Sequence, residues 1–193
     1  MQNALKPIEL FKKWFSEEEK KSKLSVPTAV CLSTIGLDGF PNARFVSLKE
    51  IVDCNFIITT PLDSRKGLEI ENNSKVALTF WWTETERQVR IQGIATQIAK
   101  ELAQKYFQER DLDSQIVSLI CQQGKEIDDI QLLEKRIAEA TLTNSKIEMP
   151  KNWGGYSIEP IRIEFMEFRK TRFHDRKLYE MRNNEWTLKQ LQP

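Results

Sequence analysis

A few short clusters hold most of the chemistry this sequence can offer, and all of them are cationic. Ser64-Arg65-Lys66 stands at the expected start of a short helix. A helix N-terminus presents free N–H groups and the positive end of the peptide dipole, so a hydroxyl and two cations beside it would complete a phosphate cradle. The same residues also suit a capped surface helix with two solvated cations. Arg44 and Lys49 share a stretch with strand character. Their odd separation puts them on opposite faces of a regular strand, so only a bulge, or a ligand reaching around the strand end, would bring both to one anion. Arg172-Phe173-His174-Asp175-Arg176 is the densest polar group, and His174 is the only histidine. If extended, this segment sets Arg172, His174 and Arg176 on one face, two cations flanking the side chain that titrates near neutrality. A charged strand edge that resists aggregation is the alternative.

Tyr106, Arg110 and Ser114 recur at four-residue spacing and would line one face of a continuous helix, where a phenol, a cation and a hydroxyl could hold a phosphate. Asp111 also reads as a fresh N-cap that would break that helix, and a packing Tyr beside a surface Arg explains the same pattern. Gln88 interrupts an apolar alternation and could bond a heterocycle or face water. Trp81-Trp82 and Trp153 beside Gly154-Gly155 suit packing roles. Walker A, GxGxxG and GxSxG patterns are missing. Cys31, Cys54 and Cys121 form no CxxC pair, so neither a metal site nor a disulfide framework is expected.

The elements that must position these groups follow from periodicity. Leu10, Phe11, Trp14 and Phe15 predict an amphipathic helix over residues 7 to 22, opening at Pro7. From Pro27 the period shortens: Val30 and Leu32 alternate with smaller residues, and Leu37-Asp38-Gly39 marks the turn of a hairpin that returns through Asn42 to Lys49. Strands are expected at Asn55 to Thr60 and Lys75 to Trp82, flanking the helix that opens near Asp63 or Ser64. A looser β pattern runs through Val89, Ile91 and Ile94. Helices follow, with Leu102, Tyr106 and Phe107 on one face and a later stripe of Ile130, Leu133 and Ile137. Strands resume with Ile161, Ile163 and Phe165 and finish near Lys177 to Met181 and Glu185 to Leu188.

Strands at both ends with helices between them predict a mainly β, α+β fold: an antiparallel barrel with packed helices, as one domain over residues 1–193, carrying an N-terminal helix and a helical insertion at about 99–142. The chain has 193 residues, with 29 Lys and Arg against 28 Asp and Glu, a net charge of +1. That balance disfavours a nucleic-acid coat. No apolar run approaches the roughly 20 residues that span a bilayer, and the opening stretch lacks a secretory core, so neither nucleic acid nor membrane is an expected partner and a reducing cytoplasm is the expected setting.

Taken in order, the clusters resemble the pyridoxine (pyridoxamine) 5′-phosphate oxidase family of FMN-dependent split-barrel enzymes. The resemblance is carried by Arg44-Phe45-Val46-Ser47-Leu48-Lys49, Ser64-Arg65-Lys66 followed by Ile70-Glu71-Asn72-Asn73, Glu86-Arg87-Gln88-Val89, Tyr106-Phe107 through Arg110 to Asp113-Ser114-Gln115, Trp153-Gly154-Gly155, and Arg172 to Arg176. It extends from about Pro7 to the C-terminus. It implies a split β-barrel homodimer with FMN in clefts between subunits, contacted by Arg44, Phe45, Val46, Ser47, Leu48, Lys49, Thr59, Thr60, Arg65, Lys66, Gln88, Gln123, Gly124, Met166 and Arg176. It assigns the substrate phosphate to Lys49, Tyr106, Arg110 and Ser114, and sets Arg172 and His174 beside the pyridine ring as the catalytic pair.

The implied reaction is oxidation of pyridoxamine or pyridoxine 5′-phosphate to pyridoxal 5′-phosphate in vitamin B6 salvage, with a hydride passing to the flavin and oxygen leaving as hydrogen peroxide. A flavoenzyme with another substrate, like the phenazine-biosynthesis relatives, and a non-catalytic flavin or pyridoxal phosphate binding protein are the alternatives. Met166 stands where the family usually has a flavin-contacting Trp, and Thr59 where a Tyr is frequent; Met packs against rings but lacks the flat indole and its N–H. The chain also opens close to its first helix, with little of the N-terminal extension that can close over substrate in the family.

Overall fold

The computed structural model describes residues 2–143 and 147–193. A helix, α1 (Gln2–Glu19), precedes the strands β1 (Ala29–Ile35), β2 (Pro41–Val52) and β3 (Asn55–Pro61), a short α2 (Arg65–Asn72), and the strands β4 (Lys75–Trp82) and β5 (Arg87–Gln97). The helices α3 (Lys100–Gln108), α4 (Leu112–Ile120) and α5 (Ile130–Thr143) come next, then β6 (Trp153–Glu167), β7 (Asp175–Arg182) and β8 (Glu185–Leu191). The strands lie in the order β3-β2-β1-β4-β5-β6-β7-β8, all antiparallel, and a further β3–β6 pairing closes the first six into a barrel. β6 is long enough to serve both ends: Trp153 to Ile158 pair with β3, while Arg162 to Glu167 pair with β7. The hairpin β7–β8 therefore continues the sheet beyond the closed wall.

Alternation decides which side chains fill the barrel. Val30, Leu32, Phe56, Ile58, Leu78, Phe80, Val89, Ile91 and Phe165 are buried within one cluster. α1 closes that core with its Ile8, Phe11 and Trp14 face. The Phe11 ring lies 4.9 Å from Phe56, 5.0 Å from Phe80 and 5.5 Å from Trp82. Burying one such ring stabilises the fold by about 2–3 kcal/mol. A second apolar cluster sits against the barrel wall, where Ile57 and Ile98 meet Tyr106 and Phe107 of α3, Ile116 of α4, and Trp153.

Several expectations need adjustment. α1 begins before Pro7, running through it, and ends at Glu19 rather than residue 22. Of the two readings left open for Tyr106 to Ser114, the break is the one that forms: the Asp111 side chain accepts the Ser114 N–H and starts α4 afresh. In the later stripe, Leu133 and Ile137 are half-buried but Ile130 is exposed. The extended row of Arg172, His174 and Arg176 does not form. Arg172 sits at φ 65°, and its N–H donates to the Arg169 carbonyl, so it belongs to the turn between β6 and β7, and the strand starts only at Asp175.

Candidate functional site

The site is a cleft of about 960 Å³ between the barrel wall, the start of α2, α4 and the segment around residue 123. β2 explains why one stretch supplies so many of its residues. It pairs with β1 over Pro41 to Ser47 but with β3 only from Leu48 onwards. Over the first part its other edge has no partner strand among the described residues, and Arg44, Phe45, Val46, Ser47 and Lys49 all line the opening there. Lys49 reaches it through a bulge: Leu48 opposes Ile58 while Glu50 opposes Ile57, so Lys49 is the extra residue. This resolves the opposite-faces problem that the Arg44–Lys49 spacing poses. Leu48 itself is buried in the barrel core, so it supports the site without lining it.

The start of α2 forms one end of the cleft. Ser64 is its N-cap; the hydroxyl donates to the Pro61 carbonyl at 2.6 Å and accepts from the Gly67 N–H. Only glycine fits at 67, because a Cβ would lie 2.1 Å from the Leu62 carbonyl oxygen. Thr59, Thr60, Arg65 and Lys66 line this end together with Gln123 and Gly124. The Lys66 ammonium donates to Gln123 Oε1 at 2.5 Å and to Ser64 Oγ at 3.3 Å. Burial, and then repulsion from Arg44, pull the Lys66 pKa down to about 8.

Behind these cations lies Glu69, which sequence reasoning passed over. Its carboxylate is fully buried and takes hydrogen bonds from Thr34, Asn42, Arg44 and Arg65. Burial alone would raise its pKa, but the hydrogen bonds from Thr34, Arg65 and Arg44 outweigh it and hold the carboxyl below its usual range. The only sequence signal was the four-residue step from Arg65 to Glu69, which reads as an ordinary helix-surface pair.

The other end of the cleft is built by α4 and Trp153. Arg110 lies over the Trp153 ring, 4.3 Å from its centroid, and donates to Ser118 Oγ at 2.9 Å. Arg110, Ser114 and Lys49 line the cleft, with Glu109 and Asp111 at its border. Burial lowers the pKa of Lys49, and the charge of Arg110 lowers it further. Tyr106 lies outside the cleft lining: it is buried in the second apolar cluster, and its hydroxyl donates to Glu50. Burial, and then that carboxylate, raise the phenol pKa.

The remaining candidates lie elsewhere on the chain. Gln88 stands opposite Met166, and Met166 opposite Arg176, forming a cross-strand row over β5, β6 and β7. Arg176 donates to Glu164 Oε1 at 2.9 and 2.7 Å. His174 Nδ1 accepts the Arg169 backbone N–H at 3.0 Å, and its ring lies 4.9 Å from Phe168. It borders a separate concavity near the C-terminus, while Arg172 is exposed in its turn. One chain thus carries two groups of candidate residues that it does not itself bring together.

A closed antiparallel six-stranded barrel with a cation-lined cleft beside an unpaired strand edge defines the class: a split-barrel protein. Comparison with known proteins narrows this. The family model described as "Pyridoxamine 5'-phosphate oxidase" matches residues 16–144, and that of the "Pyridoxine 5'-phosphate oxidase C-terminal dimerisation region" matches residues 153–193. A pyridoxine/pyridoxamine 5'-phosphate oxidase of Leptospira interrogans is 42% identical over 176 residues, 90% of this chain and 82% of the relative; one of Leptospira biflexa is 40% identical over 189 residues, 97% and 89%. The chain belongs to the pyridoxine/pyridoxamine 5′-phosphate oxidase family, a family of oxidoreductases. Among solved structures, PhzG from Burkholderia lata in complex with tetrahydrophenazine-1-carboxylic acid aligns with a TM-score of 0.92 at 29% identity, covering 97% of this chain and 92% of that one. A pyridoxamine 5'-phosphate oxidase-related, FMN binding protein from Nostoc punctiforme shares the fold, with a TM-score of 0.78 at 16% identity over 94% of each chain. No described helix is long and apolar enough to cross a membrane.

Proposed function

We propose that the protein binds FMN and oxidises pyridoxamine 5′-phosphate or pyridoxine 5′-phosphate to pyridoxal 5′-phosphate, with oxygen as final acceptor and hydrogen peroxide as by-product. The observation that carries this reading is that one cleft offers two places for a phosphate: Arg44, Arg65 and Lys66 at the start of α2, and Lys49, Arg110 and Ser114 near the start of α4. Two phosphorylated molecules side by side need both. The first place suits FMN, because the buried ammonium of Lys66 has a neutral amide and a hydroxyl as its hydrogen-bond partners and keeps its charge for a ligand. Phe45 and Val46 supply apolar surface beside it. Bound FMN would supply the two-electron acceptor that no side chain provides.

The protein's part is then to hold and orient. Arg44, Arg65 and Lys66, with Gln123 and Gly124 nearby, anchor the flavin phosphate, and Thr59 and Thr60 border it. Lys49, Arg110 and Ser114 anchor the substrate phosphate, so the two rings meet in a fixed order. Arg172, His174, Gln88, Met166 and Arg176 come to the cleft from a second copy of the chain; their place on β5 to β7, away from their own cleft, supports this, as does the match of residues 153–193 to a dimerisation region. With Nδ1 accepting the Arg169 N–H, a neutral His174 carries its proton on Nε2 and can donate it to a substrate oxygen. Arg172 steadies negative charge beside it.

The test is anaerobic addition of pyridoxamine 5′-phosphate to the flavin-loaded protein. Bleaching of the visible flavin band, followed on readmitting air by recovery with pyridoxal 5′-phosphate and peroxide, is the expected result. A flavin that stays oxidised overturns the oxidase and leaves a binding protein. The PhzG likeness supports a second reading, oxidation of a reduced phenazine precursor. Tetrahydrophenazine-1-carboxylic acid in the same assay decides between them, since the reading is correct only for the donor that bleaches the flavin.

A further inference from the structure

Glu69 is fully buried, and neither it nor Thr34 lines the cleft. All the hydrogen bonds at its carboxylate can be assigned. Oε1 accepts from Asn42 Nδ2 at 2.6 Å and from Arg65 Nε at 2.9 Å; Oε2 accepts from Thr34 Oγ1 at 2.5 Å and from Arg44 Nη2 at 2.9 Å. The Thr34 hydroxyl, having donated to Glu69, accepts from Arg44 Nη1 at 2.5 Å, so each proton in the network has one destination. A carboxylate has about four acceptor sites, and these donors fill them. The donors come from three elements, β1, β2 and α2. Beyond Glu69, Arg44 Nη1 donates to Thr34 and Arg65 Nη2 to the exposed Asp38 at 3.2 Å, and the N–H groups left over on each guanidinium remain for a ligand.

We propose that Glu69 is a positioning residue for the anion site: it locks Arg44 and Arg65 in the orientation that receives a phosphomonoester dianion. This rests on reading the start of α2 as the seat of the flavin phosphate. The charges agree with that ligand. Arg44, Arg65 and Lys66 outnumber Glu69 and the exposed Asp38, which pairs with Arg65 at 3.2 Å, by one positive charge, the sign that a phosphate group carrying about −1.5 to −2 near pH 7 requires. Without Glu69, Arg44 and Arg65 would repel each other and spread over many rotamers, and the ligand would have to order both on binding.

This role predicts an effect opposite in sign to simple electrostatics. Glu69→Gln removes a negative charge from behind a phosphate site, which by charge alone would tighten FMN binding. Yet the amide turns a donor towards either Thr34 and Arg44 or Asn42 and Arg65, so one guanidinium loses its lock. The dissociation constants of FMN and riboflavin, measured by flavin fluorescence quenching, read the outcome. For E69Q we expect FMN affinity to fall roughly ten- to a hundredfold, with riboflavin affinity unchanged within about twofold, since riboflavin carries no phosphate. Thr34→Val, which keeps the buried shape but removes the bridging hydroxyl, should weaken FMN in the same selective way to a smaller degree, and it carries the test if E69Q does not fold.

Equal loss for FMN and riboflavin in either soluble variant would make the network merely structural and overturn the proposal. Unchanged or tighter FMN binding would overturn it as well. Wild-type protein that does not distinguish FMN from riboflavin would instead remove the phosphate-seat reading on which the proposal stands.

Discussion

Lys66 should make flavin binding sensitive to pH just above neutrality, with a sign opposite to that of stability. In the free protein its pKa is about 8, because burial and the charge of Arg44 disfavour the ammonium. A phosphate dianion beside it would restore the charge and push the pKa back up. Above pH 8, binding therefore requires proton uptake, and each pH unit weakens FMN by up to about tenfold. Between pH 7 and pH 9.5 the expected loss is roughly thirtyfold, provided the bound pKa stays above that range. For folding the sign reverses. The folded pKa lies below the 10.5 of an exposed lysine. The unfolded chain thus binds more protons between pH 8 and 10.5, and the flavin-free protein gains up to about 3 kcal/mol across that window. Fluorescence titrations at a series of pH values, with urea unfolding of the flavin-free protein alongside, measure both. Lys66→Met should bind FMN more weakly at pH 7 but with a much shallower pH slope. A flat wild-type profile, or the same slope in K66M, would refute the reasoning.

Other perturbations separate the parts of the cleft. Arg172→Ala should lower turnover by at least about tenfold, as expected for losing a charged group at the reacting centre, while flavin occupancy by absorbance barely changes; equal losses would place Arg172 in the flavin shell. Trp153→Leu removes the ring beneath Arg110 and its packing on Phe107. It should cost about 2 kcal/mol or more of stability in thermal or urea melts and raise KM for the phosphorylated substrate more than it lowers kcat. Gly67→Ala forces a Cβ towards the Leu62 carbonyl. An expected loss of about 1–3 kcal/mol, with weaker FMN binding as Arg65 and Lys66 shift, is checked by the same methods, and an unchanged melting midpoint would mean that α2 moves freely.

The parts of this fold that were legible in the sequence are those set by neighbours along the chain. Val30 and Leu32 alternate, Leu37-Asp38-Gly39 turns, and the hairpin β1–β2 follows, with Gly39 at φ +83°. Ser64 announces α2 in the same local way. Asp111 announced the break that separates Tyr106 from Ser114, although the four-residue spacing argued for continuity. What stayed hidden was set by partners distant in sequence. The extra residue at Lys49 exists because β3 takes over the pairing of β2 there. Arg172 to Arg176 alternates like a strand, but the chain must reverse between β6 and β7, and Arg172 takes a left-handed turn conformation that local residue types did not signal. Glu69 drew no reading from the sequence, because its burial exists only once Thr34 and Asn42 of the hairpin pack against α2. Closure of the barrel by β3 and β6, which leaves β2 an open edge, is likewise a property of the assembled sheet.

That topology also bears on how a chain of net charge +1 would hold the two phosphates proposed for its cleft. Away from the cleft, cations are matched with carboxylates: Arg162 and Lys189 with Glu180, Arg176 with Glu164, Arg87 with Glu17. Within it, Arg44 and Arg65 share the one buried Glu69 and Arg65 also meets Asp38, but Lys66 bonds to an amide and a hydroxyl, and Arg110 to a hydroxyl and an indole face. The nearby Asp111 carboxylate is occupied by the Ser114 hydroxyl and N–H. Neutral partners fix the direction of a cation without cancelling its field, and burial keeps water from screening it. The cost is visible in the depressed pKa values of Lys49 and Lys66. A cleft that destabilises its own cations in the free state gains more when an anion arrives than the same charges would gain on an open surface. Under the proposed function, ligand affinity therefore comes from how the cations are paired, and the total charge has little bearing on it.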